Sequence, residues 1–158
     1  MSDDRASPLF ISLEVPRSVQ RLLRHVKSRK TRKQQSRIFI YELLAATVSL
    51  VTFKEELSGF DVIVLCDNVA QENCLRKNYS SNQFATQISK LFWEVCVKNS
   101  ISPFTVRVPT ELNYADEPSR PSAEGLFPGL AADSAVRRPT SFPNILGRRL
   151  RAVSKGRL

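Results

Sequence analysis

From Asp61 to Cys66 the chain reads Asp-Val-Ile-Val-Leu-Cys, then turns polar at Asp67-Asn68. A short β-branched run bounded by turn formers predicts an interior strand of a parallel or mixed sheet. Upstream, residues 9–15 (Leu-Phe-Ile-Ser-Leu-Glu-Val) have strand character and stop at Pro16. Val19, Leu22, Leu23 and Val26 then recur at helical spacing, with Arg21, Arg24 and Lys27 on the other side, and residues 28–33 read as an exposed basic loop. Residues 35–53 predict a second helix, with Ile38, Leu43, Leu44, Val48 and Val51 on one face, ended by the polar stretch 54–59. Beyond Asn68 a helix is predicted through about Lys77. Residues 78–82 break the chain, and 84–98 predict a long helix whose broad apolar face holds Ile88, Leu91, Phe92 and Val95, with Trp93 beside them. Residues 104–108 predict another strand, and 113–120 a short turn or helix interrupted by Pro118. From Pro121 onward Pro, Gly, Ser and Arg dominate, which predicts a linker and a largely disordered tail. The order strand, helix, helix, strand, helix, helix, strand, helix predicts an α/β fold with helices covering a sheet.

Composition narrows the class. With 158 residues and 42% hydrophobic content, the chain can bury one ordinary core. No apolar run approaches the roughly 20 residues of a membrane span, and no apolar segment follows the N-terminus as in a secretory signal. Cys66, Cys74 and Cys96 have no CxxC spacing and no neighbouring His, which argues against a zinc site and a disulfide framework and predicts buried, reduced thiols in an intracellular protein. Nucleus and cytoplasm are not distinguished.

Charge is distributed unevenly. The net charge is +9, but residues 17–37 hold nine Lys or Arg and no acid, and residues 134–158 hold seven and no acid. Residues 38–133 carry seven basic against twelve acidic residues, a net of −5. Basic flanks attract polyanions, whereas an acidic centre attracts divalent cations. A basic amphipathic helix at 17–27 also fits a membrane surface or a partner's groove.

Three acids fall at the ends of separate predicted elements: Glu42 in a helix, Asp67 directly after a strand and Asp116 a few residues after the last strand. Ligands of open α/β sheets gather at the carboxyl ends of strands. Carboxylates converging there from separate elements are how proteins hold paired hard metal ions for phosphate chemistry.

These segments resemble the ribonuclease H domains of retroelement reverse transcriptases of the DIRS-like and long-terminal-repeat types. Asp67-Asn68 after a hydrophobic strand, followed by Leu75-Arg76-Lys77 and Ser80, is similar to their third catalytic segment. Asn113-x-Ala115-Asp116-x-x-Ser119-Arg120, after Arg107-Val108-Pro109, resembles their closing segment, and Tyr41-Glu42-Leu43-Leu44-Ala45-Ala46 the helix with their second acid. The resemblance covers residues 8–120. It implies a ribonuclease H-like mixed sheet flanked by helices, and hydrolysis of the RNA strand of RNA–DNA hybrids with two Mg2+ ions. Asp67 would bind the nucleophile-side metal, Glu42 the metal nearer the leaving group, and Asp116 would complete the cluster. Asn68, Ser119 and Arg120, with Arg29, Lys30, Arg32 and Lys33 of the basic helix and loop at 16–37, would contact the nucleic acid. A reverse transcriptase domain is a further implied partner.

The departures shape the expectation. Relatives begin with a central strand carrying a leading catalytic Asp, whereas here one strand-like segment precedes the basic helix, and neither Asp3 nor Asp4 follows a strand. The expected domain therefore lacks its first one or two strands. It follows a disordered stretch at 1–7 and precedes a basic tail at 121–158. Such a chain is expected to bind hybrids and cleave little or nothing by itself. A non-catalytic basic nucleic-acid-binding protein and an adaptor using its basic helix are the alternatives.

Overall fold

The computed structural model describes residues 9–24, 35–113, 136–137 and 140–157. Its elements run β1 (Leu9–Phe10), α1 (Arg17–Arg24), α2 (Gln35–Thr52), β2 (Asp61–Cys66), α3 (Val69–Lys77), α4 (Gln83–Lys98), β3 (Ser102–Arg107), a 3-10 turn (Thr110–Leu112), β4 (Val136–Arg137) and α5 (Asn144–Ser154). The architecture is α/β. β2 and β3 pair in parallel from Asp61↔Ser102 to Cys66↔Arg107, connected through α3 and α4.

Local chemistry explains the α3–α4 hairpin. Asn68 caps α3 by accepting the N–H groups of Ala70 (2.9 Å) and Gln71 (3.4 Å), and Asn78 closes it in the left-handed conformation at φ 49°, a geometry Asn tolerates. Side chains of α4 then satisfy the last carbonyls of α3. Ser89 Oγ donates to the Cys74 carbonyl at 3.3 Å, and Trp93 Nε1 donates to the Leu75 carbonyl at 2.8 Å. Asn82 caps α4 through the Ala85 N–H.

One core unites the helices: Val19 and Leu23 of α1, Phe39 through Leu50 of α2, Leu75 of α3, Ile88 and Phe92 of α4, and Leu146 and Leu150 of α5. α2 packs along α4, and α5 packs on both α4 and α1.

The structure corrects several expectations. The sheet of β2 and β3 is parallel, not mixed, and β1 does not join it but pairs with β4, Leu9 opposite Val136. Residues 11–15 keep a strand's alternation, with Ile11, Leu13 and Val15 against the core, but belong to no strand. Among the described residues helices cover one face of the β2–β3 sheet: Val62 and Val64 pack inward, while Ile63 (67% exposed), Leu65, Phe104 (59%) and Val106 are exposed. Ile38 is exposed, because α2 buries Phe39, Ile40, Leu43, Leu44, Thr47 and Val48 instead. Finally, residues 144–154 are a packed helix, where a disordered tail was expected, because Leu146, Leu150 and Val153 recur at helical spacing and are buried. Arg149 fastens α5 to α4 through a 2.6 Å ion pair with Glu94, whose hydrogen bond from Arg149 holds the Glu94 carboxyl below its usual range.

Candidate functional site

Asp67 follows β2 at its carboxyl end and stands one residue ahead of the α3 cap, where the helix dipole favours negative charge. Glu42 arrives from α2. Gln71, buried in the first turn of α3, donates from Nε2 to the Glu42 carbonyl at 3.2 Å. That bond ties the α2 backbone at Glu42 to the helix that begins beside Asp67, two acidic residues 25 positions apart in sequence.

They line a single groove of about 610 Å³ running between α2 and β2. Its floor and walls are mostly apolar, from Ala45, Leu50, Phe53, Val62, Val64 and Phe92, and its polar members are Tyr41, Glu42, Ser49, Asp67, Gln71 and Asn113. One carboxylate oxygen of Glu42 is sealed from solvent.

Cys66 reports the local field. Its buried thiol is pushed up to about 11, first by desolvation and then by the charges of Glu72, Asp67 and Glu42. Each negative charge near a thiol disfavours the thiolate, so the shift marks the end of β2 as an acidic locality. Cys96 is pushed up to about 11 by burial, and Cys74 is raised in the same way. All three thiols are free and buried.

The sequence singled out ten residues for the site. The structure brings Glu42 and Asp67 to the same groove, with Asn113 of the closing segment beside them. Asp116, Ser119, Arg120, Arg29, Lys30, Arg32 and Lys33 lie outside the described residues. Asn68 engages its Oδ1 in capping α3. Gln71 was missed in the sequence, because its role depends on a contact between α2 and α3 that no local pattern encodes.

Among the described residues no group of three or more His, Cys, Asp or Glu is placed to hold a metal ion. Glu42 and Asp67 are hard oxygen donors of the kind Mg2+ takes, but two carboxylates fall short of the shared ligand set that a two-metal centre requires. Among the described residues, too, no helix is long and apolar enough to cross a membrane. No protein family, characterised protein or solved structure matches this chain.

Proposed function

We propose that this chain is a ribonuclease H-like domain of retroelement reverse-transcriptase type that binds RNA–DNA hybrids and, with two carboxylates in its groove among the described residues, hydrolyses them little or not at all. The observation that carries this reading is that Glu42, Asp67 and Asn113 line one groove between α2 and β2, with Asp67 directly after that strand. Carboxylates from separate elements facing one groove are the kind of arrangement that metal-assisted phosphate chemistry uses.

In this reading Glu42 and Asp67, with Asp116, would hold Mg2+, which would supply activation of water and neutralisation of the departing oxygen. The residues of this chain would contribute carboxylates, a mostly apolar groove and cationic flanks that hold phosphate. Recognition would be through backbone and A-like shape, without reading of bases.

The test uses a labelled RNA–DNA hybrid in one sample, with binding followed by anisotropy and cleavage by gel in 5 to 10 mM Mg2+, roughly the range that saturates weak carboxylate sites. Salt-sensitive binding with an intact RNA strand is expected. Robust cleavage that disappears in Asp67→Asn would refute the inactive reading, and absence of any binding would refute both parts.

A further inference from the structure

The two basic flanks, separated by most of the sequence, meet in the fold. α1 and α5 pack against each other on the core. Each turns its apolar side inward, Val19 and Leu23 from α1 and Leu146, Leu150 and Val153 from α5. Their outward positions are cationic. Arg17 and Arg21 are exposed on α1, and Arg148 and Arg151 are exposed on α5, with Lys155 at its C-cap and Arg157 just beyond. Neither helix contains an acid.

We infer that α1 and α5 together form one cationic face that grips the phosphate backbone of a polynucleotide, separately from the acidic groove. It rests on the nucleic-acid reading above only for the class of its occupant. No residue lining the groove belongs to α1 or α5. The separation has a physical reason, since Glu42 and Asp67 repel phosphate and the attraction must come from elsewhere on the surface.

Three observations choose the occupant. Like charges three or four positions apart destabilise a helix by roughly 0.2–0.5 kcal/mol per pair, and a polyanion relieves this repulsion. Arginine dominates the face, and its planar fork pairs with phosphate oxygens in a way the lysine ammonium does not. Along α5, Arg148 to Lys155 covers about 10 Å at the helical rise, comparable to three steps of a nucleic-acid strand. A lipid surface fits less well. Interfacial helices bind by burying an apolar face in the bilayer, whereas here those faces are already inside the protein, leaving Ile145, 39% exposed, as the large apolar side chain at the surface of α5.

The test is anisotropy of the full chain with a labelled hybrid and a labelled single-stranded RNA across 50 to 200 mM salt, roughly the range over which phosphate contacts lose most of their strength. Variants are R148Q/R151Q and R17Q/R21Q, each checked by thermal melting. Each arginine pair is expected to weaken binding about tenfold at the lowest salt and to lower the slope of log K against log salt by about 1 to 2. R148K/R151K keeps the charge and should bind more tightly than R148Q/R151Q but less tightly than the parent, which guards against an effect of misfolding. Affinity and slope unchanged in both Gln pairs, with the hybrid still bound, would overturn this inference and leave the ribonuclease H-like reading standing. No binding of either nucleic acid would overturn both. Phosphatidylserine vesicles bound as tightly as the oligonucleotides would overturn the choice of occupant.

Discussion

Asn68 accepts two backbone N–H groups at the start of α3, so Asn68→Ala should cost about 1 kcal/mol of stability, with Asn68→Asp close to the parent. Urea unfolding checks this, and an unchanged midpoint for the Ala variant would contradict the cap. Any contact between Asn68 and a nucleic acid is left to its Nδ2. The thiols give a second residue-scale prediction. In the fold Cys66 and Cys96 ionise at about 11, against an ordinary value of 9.0. A raised pKa means that the neutral thiol is favoured by the fold, so this contribution is complete below pH 9 and is lost as pH climbs from 9 to 11. Stability should fall by roughly 2–3 kcal/mol per thiol across that window. Cys66→Ala should show a shallower fall in unfolding midpoint between pH 8.5 and 10.5, and identical slopes would contradict the assignment. At this scale the sequence displayed Glu42 and Asp67 but hid Gln71, whose bond to the Glu42 carbonyl depends on how two helices meet.

α5 separates what local pattern reveals from what packing decides. β2, α3 and α4 were legible because turn formers bracket them and their apolar residues keep one period. In α5 the buried Leu146, Leu150 and Val153 sit among three arginines and a glycine, a composition that reads as unstructured until a core is there to receive it. The α2 face was misread for a different reason. Its apolar residues run nearly all round the helix, so periodicity could not choose between Ile38 and Phe39. Gly147 offers a direct check on α5. A Cβ there would meet Arg151 Nη1 at 3.5 Å and Phe142 at 3.9 Å, ordinary contacts. Gly147→Ala should therefore stabilise the protein by about 0.5–1 kcal/mol, raising the unfolding midpoint. No change would mean that residues 144–154 are not helical in solution.

Among the described residues three surface regions stand out: an arginine face on α1 and α5, an acidic groove beside β2, and an apolar sheet face whose Ile63 and Leu65 also border that groove. The last is the least comfortable. Ile63, Leu65, Phe104 and Val106 stand exposed on two adjacent strands, and an apolar sheet surface promotes association. Concentration-dependent self-association is expected by light scattering and should drop in Ile63→Thr/Phe104→Thr, substitutions that keep β propensity. Equal scattering by parent and variant would contradict this. The α/β class was legible from the alternation of elements, whereas the partner of β1 was not, because strand pairing is set by distant residues.

The central claim is that carboxylates 42 and 67 act at one place, and the most direct measurement is paramagnetic broadening of backbone NMR signals by added Mn2+. Simultaneous loss of the signals of Leu43, Asp67, Asn68 and Asn113, diminished by either Glu42→Gln or Asp67→Asn, is the predicted result. Broadening that follows only one of the two acids, or that spreads over unrelated surface acids such as Glu55 and Glu111, would contradict it.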